Sequence, residues 1–105
     1  MTEKQFNAML ESRIDSIKST LSKKSKEYSA NGDKLYNFKR AAEVGRTTPS
    51  KALFGMLMKH IVSVLDMIES ENDPTVYMVN EKIGDTINYL ILLEAIFKEG
   101  IYDSN

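Results

Sequence analysis

The chain has no cysteine, no tryptophan, one histidine and only two prolines. Without a thiol, disulfides, thiolate zinc ligation and cysteine nucleophiles are excluded. The lone His60 excludes a histidine-rich metal site and any relay of two imidazoles. Any chemistry therefore falls to carboxylates, lysines, hydroxyls and amides. Charge of one sign is also missing: the net charge is −1 and the isoelectric point is near 5.8. No overall basic field recruits duplex nucleic acid or an anionic membrane. No apolar run approaches the ~20 residues that a membrane-crossing helix needs, and "MTEKQFNAML" lacks the apolar core of a signal peptide. A cytoplasmic protein is the expectation.

What is present is helical periodicity. The 105 residues suit one domain, 1–105, with a core over about 5–98 and a C-terminal tail, 101–105, expected to fray. Phe6, Leu10, Ile14 (or Arg13), Ile17 and Leu21 recur every three or four residues, which predicts a first helix over about 3–28. "SANGD" interrupts it, with Asp33 a candidate cap for a second helix over 34–44 that turns Leu35, Phe38, Ala41 and Ala42 inward and ends at Gly45. Thr48 and Pro49 open a third helix over 49–70 with Leu53, Leu57, Ile61, Val64, Leu65 and Ile68 inward. Asp73-Pro74 breaks the chain again. A fourth helix follows over 75–99, with Ile83, Ile87, Leu90, Ile91, Leu93 and Phe97 as its apolar stripe. The expected fold is all-α, a compact bundle of about four helices. The fourth stripe is broad for one neighbour, and six methionines add adaptable apolar surface. These features suit either a central bundle helix or a homo-oligomer interface, and we favour the oligomer.

Two polar lines break this pattern. At ~100° per residue, Glu81, Asp85 and Asn88 share one line of the fourth helix, with Gly84 beside it and Leu92 continuing it into apolar surface. On the third helix Lys59, Ser63 and Asp66 follow Gly55 on the side away from the apolar stripe. Carboxylates one turn apart suit Mg²⁺, so Glu81 and Asp85 are candidate ligands, with Asp66 and Glu27 as additions. A solvated polar face fits the same residues. "KKSKEYSANGDKLYNFKRA" interleaves cations with aromatic rings, as phosphate contact and base stacking require. Its ligand candidates are Lys26, Tyr28, Asn37, Lys39 and Arg40, whereas Phe38 reads as core. The alternative for this stretch is a solvated helix end with aromatic anchors. His60 lies between polar line and apolar stripe, either as a half-buried structural histidine or as a phosphate contact beside Lys59.

Together "EY…D…NFK…TP…GM…KH…D…EKIGD.INYL", over roughly residues 26–97, resembles a group of small phage and prophage proteins. More distantly, through "EKIGDTINYL", it is similar to the MazG-like nucleotide pyrophosphohydrolases and the phage nucleotide-modification-associated domains. The resemblance implies an oligomeric helical bundle in the cytoplasm of an infected or lysogenic bacterial host, handling nucleoside phosphates with Mg²⁺ on helix-borne acids. It places Asp85 at a metal position. The acid expected three residues earlier is Lys82 here, and Glu81 is the neighbouring acid. Asp66 and Glu69 form the only pair matching the second acidic helix. Three functions follow. One is Mg²⁺-dependent hydrolysis of a nucleoside triphosphate to the monophosphate, with Asp85 and Glu81 catalytic and Lys39 or Lys59 neutralising phosphate charge. The second is a non-catalytic sponge that sequesters an immune signalling nucleotide as anti-defence. The third is an interaction module for a host protein. The expectation we carry forward is nucleotide binding, with catalysis open.

Overall fold

A computed structural model describes residues 1–24 and 32–103. Among them the structure is all helical: α1 (Glu3–Ser19) runs into one wider π-type turn (Thr20–Lys24), then α2 (Tyr36–Val44), α3 (Pro49–Glu69) and α4 (Val76–Asp103) follow. No described helix is long and apolar enough to cross a membrane.

The helix starts follow local chemistry. Thr2 and Gln5 form a reciprocal capping box at α1, each side chain bonded to the other's backbone N–H. Thr48 Oγ1 accepts the Lys51 N–H while Pro49 occupies the first turn of α3. Thr75 Oγ1 accepts the Met78 N–H at the head of α4. α2 starts two residues later than expected. Asp33 caps the turn ahead of the helix, its Oδ1 accepting the Leu35 N–H at 2.9 Å, and α2 begins at Tyr36.

Three helix ends differ from the sequence expectation. α1 leaves regular geometry at Ser19, in a segment where Ser19, Thr20 and Ser22 are poor helix formers and the Ser22 hydroxyl donates to the Lys18 carbonyl. α2 does stop before Gly45, but Gly45 keeps φ at −84°. Arg46 takes the left-handed turn at φ 54°, while the Thr47 N–H closes on Ala42 O at 2.9 Å. α4 passes through Gly100 to Asp103, beyond the expected end near residue 99.

The core is small. Leu35, Phe38, Leu53 and Leu57 are buried together, with Met56, Ile61, Tyr89, Leu92, Leu93, Ala95 and Ile96 packed against them. Because early α3 meets late α4, these two helices form an antiparallel hairpin, with α2 packed at its open end. The inward sets predicted for α3 and α4 need correcting. Leu65 and Ile68 are exposed on α3, and Leu90, Ile91 and Phe97 are exposed on α4. Leu93 does pack against the core, and the other α4 residues that meet it centre on the line Asp85, Tyr89, Leu92 and Ile96. The line that opens polar is thus the line that turns into the core. α1 contributes no buried residue, and its stripe of Phe6, Leu10 and Ile14 stays largely exposed.

Candidate functional site

Where the α3–α4 hairpin passes from core to solvent, a polar cluster forms. His60 on α3 reaches toward α4, its Nδ1 3.7 Å from Asp85 Oδ2. The His60 ring lies against Tyr89, centroids 4.8 Å apart at 33°, and Tyr89 meets Phe38 edge-to-face at 6.3 Å and 74°. Tyr89 thus ties the cluster to the core: its ring separates His60 from Phe38. One turn along the same side, Asn88 buries its Oδ1 with no hydrogen-bond donor among the described residues. A buried acceptor without a donor is uncommon and costs about 1–3 kcal/mol if left so.

α1 supplies a cation to the adjoining face. Arg13 Nη2 donates to the Asn80 carbonyl at 3.3 Å, and the guanidinium lies over Gly84. A Cβ at position 84 would stand 2.5 Å from Arg13 Nη1, so the missing side chain is what admits the guanidinium. Gly84 and Asn88 are one turn apart. Arg13, Asn88, Asp85 and His60 therefore occupy adjoining lines around one stretch of α4.

The structure divides the residues that the sequence singled out. His60, Asp85 and Asn88 come together. Glu81 is exposed a turn before Asp85, and Asp66 is exposed on the opposite side of α3 from the core, with Lys59 and Gly55. The two polar lines therefore do not face each other: that of α4 faces α3, and that of α3 faces away. Lys39 lies elsewhere, about 20 Å along α4 from Asp85 at 1.5 Å rise per residue. Its Nζ is held by Asp33 at 2.7 Å and Glu99 at 2.6 Å. The Lys39 hydrogen bond holds the Asp33 carboxyl below its ordinary range, with help from the Leu35 N–H. The same Asp33 bond, then that to Glu99, pushes the Lys39 ammonium up. Arg40 pairs with Glu43 at 2.8 Å, and Asn37 is exposed. Lys26, Glu27 and Tyr28 lie outside the described residues.

The acids are a poor fit to Mg²⁺ within one chain. Among the described residues no three His, Asp or Glu side chains converge as a metal site. Asp85 faces His60, while Glu81 and Asp66 point into solvent from different faces. Two open surface depressions, about 420 and 490 Å³, lie away from Asp85: one is lined by Ile17, Lys18, Leu21, Ser22 and Lys34, the other by the first turns of α1.

Sequence reasoning missed Arg13 and Tyr89. Tyr89 follows Asp85 by four residues on the polar line and could have been found by extending that line. Arg13 shares the α1 stripe with apolar residues, and only the glycine it covers hinted at a close approach. No family model, no curated protein and no solved structure matches this chain.

Proposed function

We propose that the chain binds a nucleoside phosphate where α1 crosses the α4 polar line. The observation that carries this reading is the donorless buried Oδ1 of Asn88, set between a carboxylate and a guanidinium. A nucleobase N–H or a ribose hydroxyl satisfies such an acceptor once the side chains that cover it move aside, and the half-exposed Asp85 carboxylate offers a second one beside it. Arg13 supplies planar donors suited to phosphate oxygens. The likeness of "EKIGDTINYL" to the acidic-helix motif of MazG-like pyrophosphohydrolases supports the same ligand class.

Binding without turnover is the better-supported form. Among the described residues one carboxylate, Asp85, belongs to the cluster, and metal-assisted phosphoryl chemistry relies on several acids held together. This is the sponge reading, with a signalling nucleotide as one class of ligand.

The test is a thermal-shift panel of nucleoside mono-, di- and triphosphates and cyclic nucleotides, with and without Mg²⁺. A ligand at 100 times its dissociation constant stabilises by about 2.7 kcal/mol, which a panel resolves easily. Asn88→Ala and Arg13→Ala should each remove the shift. A flat panel ends the proposal. Pyrophosphate release then separates the two forms: equal background for wild type and Asp85→Asn establishes binding alone, and a rate lost in Asp85→Asn establishes hydrolysis.

A further inference from the structure

The chain leaves more surface open than a compact domain of its size normally does. It exposes 8028 Å². A compact monomer of 11.9 kDa exposes about 5,900 Å² by the usual size scaling. The radius of gyration is 16.0 Å, against about 13 Å for a compact domain of this length. The surplus, on the order of 2,000 Å², exceeds the ~800 Å² per partner that a stable interface covers.

Part of the open surface is an ordered apolar stripe. On α3, Phe54, Met58, Val62 and Leu65 recur at four-, four- and three-residue spacing and are each 43–53% exposed. They lie apart from the inward Leu53 and Leu57, so α3 has two apolar faces and its own chain covers one. The stripe has charged ends. Lys51 precedes it and Glu69 follows it, both exposed and both on the stripe's own line, about 27 Å apart along the helix. Gly55, beside the stripe, has open space around its Cα.

We infer that this face of α3 is the docking surface for a second copy of the chain, packed antiparallel to α3 about a twofold axis near residue 60. A twofold contact must be self-complementary, and the centre of the stripe and its charged ends satisfy that condition in this register. Lys51 meets the partner's Glu69 at both ends, Met58 meets the partner's Val62 across the axis, and Leu65 packs over the partner's Gly55. A parallel pairing sets Lys51 against Lys51 and Glu69 against Glu69. The inference does not depend on the nucleotide reading, because none of its residues belongs to the Asp85 cluster.

Sedimentation velocity on the full chain, over a concentration series, gives the mass directly. Wild type should sediment at twice 11.9 kDa, and its melting temperature should rise with concentration. Met58→Glu should sediment as a monomer with its helical circular dichroism retained. Lys51→Glu should weaken association about tenfold, since symmetry doubles each like-charge contact. The charge swap Lys51→Glu with Glu69→Lys should restore it to near the wild-type value. A monomeric wild type with a melting temperature independent of concentration overturns the inference, as does a dimer that Met58→Glu leaves intact. A dimer lost in Met58→Glu but indifferent to both charge variants overturns the antiparallel register.

Discussion

At the scale of single residues, the structure records where local chemistry and backbone geometry disagree. Arg46 is the clearest example. It holds φ at 54° to close the end of α2, immediately after a glycine that does not use its own freedom. A left-handed conformation costs a residue with a Cβ about 1–2 kcal/mol. Arg46→Gly should therefore raise stability by about 0.5–1 kcal/mol, after the entropy that glycine returns to the unfolded chain. Urea denaturation of the two proteins checks it, and an unchanged or lower midpoint refutes it. The same displacement limits prediction from sequence. Gly45 marks the end of the helix correctly, yet which residue takes the turn depends on the Thr47-to-Ala42 closure, and no residue type announces that.

Helix elements were largely legible because their starts are written in side chains: Thr2 with Gln5, Thr48 with Pro49, and Thr75 each cap by a local bond. What was not legible is which apolar face each helix turns inward. α3 and α4 each carry two, and periodicity alone does not rank them. The candidate site followed the same rule. Leu92 extending the line of Asp85 indicated that this line faces a neighbour, and it does. Nothing in sequence placed Lys39 in a clamp with Asp33 and Glu99, because that contact joins the α2 start to the far end of α4. This clamp makes a pH prediction. The Asp33 carboxyl is held below 3.8, so its contribution is complete above that value and is lost as pH falls through the lowered one. The Lys39 ammonium is held above 10.5, so its contribution is complete below that value and is lost only at higher pH. The melting temperature of wild type should exceed that of Asp33→Asn between about pH 5 and 10, and the gap should close below about pH 4. A gap that persists at about pH 2 means that the clamp contributes nothing through ionisation.

At the scale of the whole molecule, α1 stands apart from the rest. α2, α3 and α4 share the core, while α1 adds no buried residue and is tied to α4 by Arg13 at Gly84 and Asn80. Gly84→Ala tests this attachment. The new Cβ displaces a guanidinium at the end of a flexible chain, and alanine favours the helix by about 1 kcal/mol over glycine. α4 should therefore keep or gain hydrogen-exchange protection, while the amides of α1 exchange faster. Unchanged protection in α1 shows that its apolar stripe, not Arg13, holds it in place.

The placement of α1 also has a consequence for synthesis. The Arg13–Asn80 bond spans 67 residues, so α1 is translated first and meets its partner late. At 5–20 residues per second it waits about 3–13 s. Through that interval Phe6, Leu10 and Ile14 have no α4 to approach, and the nascent chain carries an apolar helix that only a later segment, or another chain, can shelter.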